Sequence, residues 1–295
     1  MATPEPLLID VSQRSATLRV AGLTAVAMTA FAANSVLCRL ALKYTAIDAA
    51  TFTSIRLLSG ALMLTLLTLA RGRSVTGEGN WLAAAALFAY AAAFSFAYVT
   101  MSAGTGALLL FTAVQMTMIA HALGRGERLG VRQWLGFLTS LAGLVILLLP
   151  GLSAPPAQSA ALMLGAGVAW GVYSIRGRGC ADPAAATSAN FVRSVPMALV
   201  LSGIFFARFH FDATGALYAL ISGALASGVG YAIWYAALRD LRGTSAAAVQ
   251  LSVPALAAVG GIAFLGEPVS WRLLFASAAI LGGIGLVVIR RTQAQ

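Results

Sequence analysis

The chain offers little for acid–base, nucleophilic or metal chemistry: two histidines, nine carboxylates and two cysteines in 295 residues. His121 and His210 have no neighbouring nucleophile and no metal-ligand spacing. The acids Glu5, Asp10, Asp48, Glu78, Glu127, Asp182, Asp212, Asp240 and Glu267 fall in tails, in breaks or at the ends of apolar runs. None lies inside a run, where proton or sodium coupling calls for one. Cys38 falls in an apolar run and Cys180 in a break, a pattern of one packing residue and one loop thiol, without disulfide or metal. A non-enzyme without metal or cofactor is expected.

Rings and amides are more promising. Tyr90, Phe94 and Tyr98 recur at steps of four and so share one helix face. Tyr231, Trp234 and Tyr235 form a second group, and Trp170 stands in a third run. Two readings are open for each ring: an interfacial side chain facing lipid, or the wall of a cavity for a flat, amphipathic solute. Gln115 and Gln250 are amides within apolar runs. Each needs a partner, on another helix or in a wet cavity. Asn34, Ser35 and Ser174 are weaker polar candidates of the same kind. Pro254 withholds an amide hydrogen and leaves the carbonyl one turn earlier unpaired, as a kink or as a solute ligand. Arg56 and Arg193 are embedded cations. Snorkelling or contact with carbonyls is the favoured role, with a counter-charge for a substrate carboxylate as the alternative. Glu127 and Glu267, each after a glycine, read as helix-start caps.

The elements that hold these residues follow from composition. Hydrophobic residues make up 60% of the chain and charged ones 9%, with a mean hydropathy of +0.88. Soluble domains carry about 25% charged residues, so the chain belongs in a lipid bilayer. Runs of about 20 apolar residues give helices and not barrel strands. Ten spans are expected, near 20–42, 48–70, 81–100, 103–123, 131–150, 158–176, 184–207, 213–237, 243–265 and 271–290. The N-terminal residues lack a signal peptide's basic start and short core, so the first run should stay as a span.

The pI near 10.6 does not indicate nucleic acid, because the arginines stand singly or in pairs between apolar runs. They obey the membrane orientation rule instead. With the N-terminus inside, Arg39, Lys43, Arg208 and Arg272 fall outside and Arg56 and Arg193 within spans, leaving the other thirteen on the cytoplasmic side. Both termini are then cytoplasmic.

The chain also repeats. A shift of 139 lays Gly104 on Gly243, Ala107 on Ala246 and Gln115 on Pro254; a shift of 140 lays Gly126-Glu127 on Gly266-Glu267 and Gly143 on Gly283. Phe31 falls on Trp170, and Phe94 matches Trp234. Each half has five spans, an odd number, so the second is inverted relative to the first. Such repeats build a site near the midplane that faces either side in turn. The fold expected is therefore all-α: ten transmembrane helices as an inverted repeat around a central cavity. Residues 1–19 form a cytoplasmic tail, 20–150 the first repeat, 157–290 the second and 291–295 a short tail.

Gly126-Glu127-Arg128-Leu129 and Gly266-Glu267-Pro268-Val269, each between two apolar spans, resemble the drug/metabolite transporter superfamily of the EamA type. Val114–Ile119 and Gly230–Leu238 are similar to its YddG group of amino acid exporters. The resemblance implies a cavity lined by spans 1, 3, 4, 6, 8 and 9, hence by Asn34, Tyr90, Phe94, Tyr98, Gln115, Trp170, Trp234 and Gln250. It implies export of aromatic and other neutral amino acids from the cytoplasm across a bacterial inner membrane. A cavity without charge suits such solutes, and the absence of an embedded acid implies facilitated movement. The alternative is export of other metabolites or hydrophobic drugs by proton antiport. The expected partners are the neutral amino acids and the lipid bilayer, with no nucleic acid, and a monomer is expected.

Overall fold

Proline at the first position of a helix gives up an amide hydrogen that would have no partner there. Pro6 opens α1 (Pro6–Tyr44) in this way, and the helix runs for 39 residues. Residues 6–19, expected as a polar tail, are thus helical and continuous with the first span. The computed structural model describes residues 6–75, 79–126, 128–151, 154–177, 180–241 and 243–288. Glu127, expected as a cap, and the 291–295 tail lie outside the described residues.

The remaining helices are α2 (Ala49–Ala70), α3 (Trp81–Tyr98), α4 (Ala103–Gly124), α5 (Val131–Leu148), α6 (Ala157–Gly177), α7 (Pro183–Ile204), α8 (Ala213–Ile221), α9 (Gly230–Leu238), α10 (Gly243–Gln250), α11 (Ser252–Leu265) and α12 (Trp271–Val288). Polar side chains in the breaks start them. Asp48 accepts from the amides of Ala50 and Thr51, Asn80 from Ala83, Asp182 from Ala184 and Ala185, and Asp212 from Gly215. Acids that a membrane would exclude thus satisfy the open amides of helix N-termini.

These pieces assemble into the ten expected rods. Nine are long and apolar enough to cross a membrane among the described residues. The tenth, α6, has 21 residues and packs on both α3 and α4.

Two rods depart from simple helices. In the eighth, a π-helical segment at Ser222–Val229 joins α8 to α9. Its small residues let it lie against α2. A side chain at Gly223 would strike the Arg56 carbonyl and Ser59, and one at Gly228 would meet Met63. The ninth breaks between α10 and α11 at Leu251, whose amide turns back to Ala248 at 3.1 Å. Pro254 accounts for the break, since it has no amide to give the Gln250 carbonyl.

The two halves pack alike. α3 and α4 both pack on α6, and in the matching places α9 and α11 pack on α1. α2 pairs with α7, and α5 with α12, each across the pseudo-twofold. The α5–α12 pair stands apart from the cavity. Gly136 and Gly283 bring its backbones into contact, and Ser140 donates to the Ile280 carbonyl at 3.2 Å.

Candidate functional site

Between the halves lies a cavity lined by Phe31, Asn34 and Ser35 of α1, Arg56 of α2, Tyr90 and Phe94 of α3, and Leu110, Phe111 and Val114 of α4. Trp170 of α6, Phe191 of α7, Ser227 of the π segment, Tyr231 of α9 and Gln250 of α10 complete it. The rings pack on one another. Trp170 stacks on Tyr231 with centroids 5.7 Å apart and planes 24° apart, and meets Tyr90 edge-on at 4.5 Å. Phe31 tilts against Tyr231 at 5.4 Å. This self-packing contracts the cavity to about 40 Å³ of space for water-sized molecules. A solute the size of an aromatic amino acid enters only by parting the rings.

Of the eight residues expected here, Asn34, Tyr90, Phe94, Trp170 and Gln250 line the cavity. Asn34 Oδ1 accepts from the hydroxyls of Ser222 at 2.7 Å and Ser227 at 3.4 Å. Gln250 ends α10 just before the break and lines the cavity there. The other three lie elsewhere. Tyr98 is fully buried between α3 and α4, its hydroxyl donating to the Ala103 carbonyl at 3.2 Å and its ring filling the space left by Gly106. Trp234 packs behind Phe31, edge to face at 6.2 Å, in a cluster with Ala27, Ala107 and Val253. Gln115 is buried in α4 one position past Val114, which does line the cavity.

Arg56 overturns two expectations: that it snorkels, and that the cavity carries no charge. It is 3% exposed and lines the cavity. One guanidinium nitrogen, Nη2, donates to the Tyr90 hydroxyl at 2.9 Å, and the group lies 4.8 Å from the Phe94 ring centre and 5.4 Å from that of Tyr90. Ring faces attract a cation electrostatically, more so where water is absent. Its other terminal nitrogen, Nη1, is buried without a hydrogen-bond partner, and so is the Tyr231 hydroxyl. Arg193, its repeat counterpart, is half-buried beside Gly79, away from the cavity. The duplication therefore placed one arginine in each half, but only one reaches the centre.

The two ends of the bundle differ. At one end Arg39 Nη1 donates to the carbonyls of Tyr98 and Val99 at 2.9 and 2.7 Å, and its Nε lies 3.5 Å from Glu267 Oε1. Glu267 Oε2 accepts from the Ala103 amide at 2.8 Å. The expected cap is real but crosses between halves, closing the N-terminus of α4 and not that of α12. Gly266, at φ 61°, turns the chain to make this reach possible. Tyr44 adds a bond to the Leu265 carbonyl at 2.8 Å. This end is sealed by a buried ion pair.

At the opposite end a vestibule of about 300 Å³ opens among Thr68, Arg71, Arg73, Asp182, Tyr235 and Arg239. Asp182 pairs with Arg73. Burial pushes the Asp182 carboxyl up, but the Ala185 and Ala184 amides and the Arg73 guanidinium more than offset this and hold it below the ordinary aspartate value. Tyr235 stacks on Tyr231 at 5.9 Å, so one pair of rings divides vestibule from cavity. Its hydroxyl shares a hydrogen bond of 2.6 Å with Thr187, which also receives the Tyr173 hydroxyl at 3.0 Å.

The EamA-like transporter family pattern matches residues 19–149 and again residues 158–289. An uncharacterized protein of Pseudomonas aeruginosa, PA1977, is 56% identical over 270 residues, 91% of this chain and 94% of its own length. A protein of known crystal structure, 19% identical, superposes with a TM-score of 0.65 over 92% of this chain and 98% of its own. The last likeness concerns the fold alone. Matched in both halves and over nearly its whole length, the chain belongs to the EamA-like transporter family, within the drug/metabolite transporter superfamily.

Proposed function

We propose that the protein exports amino acids with aromatic or large apolar side chains across the bacterial inner membrane by alternating access. Both termini face the cytoplasm in this reading, which the arginine distribution supports. The arginine-rich vestibule is then the cytoplasmic entrance, and the Arg39–Glu267 end is the closed exit. The observation that carries the reading is the cavity itself: seven rings around a few polar groups, between two inverted halves. The rings take the side chain, and Arg56, Ser35, Ser227 and Gln250 take the backbone groups of the solute.

Hydrophobic cations fit this cavity poorly, since Arg56 already supplies a positive charge. No carboxylate lines the cavity among the described residues. Glu267 is buried but committed to Arg39 at one end. Movement is therefore facilitated and follows the solute gradient. In proteoliposomes, labelled phenylalanine should show counterflow, with faster entry into vesicles preloaded with unlabelled phenylalanine. Collapse of an imposed pH gradient should leave the rate unchanged. Absence of trans-stimulation would rule out a carrier, and a rate that falls with the pH gradient would establish proton coupling.

A further inference from the structure

We propose that the central cavity selects its solute by the carboxylate and not by the ammonium group, so that flat apolar monocarboxylates without an amine are substrates in their own right. This rests on reading the ring-walled cavity as the solute site. Two buried donors there lack partners, Arg56 Nη1 and the Tyr231 hydroxyl. Leaving a buried guanidinium without a counter-anion is costly, more so in a membrane protein where water is scarce. The Tyr90 hydroxyl and the Phe94 face offset part of that cost, but neither carries negative charge. No residue described in the lining supplies the counter-anion, and a bound solute is the source this geometry allows. A guanidinium presents its nitrogens in a planar fork that matches the two oxygens of a carboxylate, and a phenol hydroxyl can add a third donor.

Nothing comparable awaits an ammonium group. Among the described residues that line the cavity there is one fixed positive charge and no fixed negative charge. Asn34 Oδ1 already receives two serine hydroxyls, which leaves an ammonium only the neutral Gln250 amide and the ring faces, with no counter-charge. The route to the cavity has the same bias, with Arg71, Arg73 and Arg239 facing a single acid, Asp182, in the vestibule. Such a mouth raises the local concentration of anions. Carboxylate on Arg56 and Tyr231, and ring among Phe31, Phe94 and Trp170, is the arrangement these groups support.

Three ligands of one skeleton test this by calorimetric titration of the purified protein in detergent near neutral pH. They are phenylalanine, phenylpropionate, which lacks the ammonium, and phenethylamine, which lacks the carboxylate. Phenylpropionate should bind at least as tightly as phenylalanine, and phenethylamine at least about tenfold more weakly, roughly the loss of one charge-assisted pair. Arg56→Gln should abolish the preference for phenylpropionate over phenethylamine, and Arg56→Lys should keep part of it. Thermal melts establish that the variants are folded, and the wild-type comparison stands if they are not. Equal binding of phenethylamine and phenylpropionate would overturn the proposal, as would phenylalanine binding without phenylpropionate binding, or silence toward all three. Binding of phenylpropionate with neither binding nor counterflow of phenylalanine would support it and defeat the amino acid reading alone.

Discussion

At the scale of single residues, the site depends on side chains that leave room and on side chains that fill it. Gly223 allows the π segment to rest on the backbone of Arg56. Gly223→Ala should shift that segment and lower stability by about 1–3 kcal/mol, the usual cost of overpacking, read as a lower melting temperature in detergent. Trp170 touches Tyr90 and Tyr231 at once. Trp170→Ala should reduce phenylalanine counterflow at least about tenfold, as expected where one stacked ring carries much of the contact, with folded protein still recovered. The sequence made Tyr90, Phe94 and Trp170 visible because mid-run rings at helical spacing stand out against alanine and leucine. It did not separate Tyr98 and Trp234 from them, because a step of four or a repeat match places a residue on a face, and the rotation of each helix decides what that face meets. Arg56 was legible as an embedded cation. Its role was not, since only the third dimension shows Tyr90 and Phe94 closing around it while Arg193 turns toward Gly79.

Among the elements, the caps and latches between helices carry the next set of expectations. The Arg39–Glu267 pair joins α1 to the break before α12 and, through the Ala103 amide, to α4. Both side chains are nearly excluded from solvent, at 11% and 8% exposure. Removing one partner strands the other, so Glu267→Met should cost about 3–5 kcal/mol, and replacing both Arg39 and Glu267 by methionine should cost less than this single change. A double-mutant cycle on thermal melts measures this. Asp182 makes a pH-dependent statement at the other end. Its carboxyl lies below its ordinary value when folded. The stabilisation is therefore full above the unfolded aspartate value near ~4 and drains away as pH falls through the lower folded value. Melts of the wild type and of Asp182→Asn should differ at neutral pH by an amount that holds to about pH 5 and converges in stronger acid. Rod number and rod ends were legible, because apolar length and capping residues act locally. The π segment of the eighth rod was not, since its cause is the close approach of α2. The split in the ninth had a local sign in Pro254.

Over the whole molecule, the inverted duplication was readable from Gly-Glu and ring positions that recur at a nearly constant shift. The pairing of helices across the pseudo-twofold repeats that order in space. The halves are nonetheless unequal: among the described residues, the π segment, the broken rod and the cavity-facing arginine each occur in one half only. The ring stack at the centre bears on the membrane as a whole. With only about 40 Å³ of open space among the packed rings, the centre of the bundle leaves no room for a broad column of water. A cell can therefore carry many idle copies without short-circuiting the electrical and chemical gradients that its other machinery lives on.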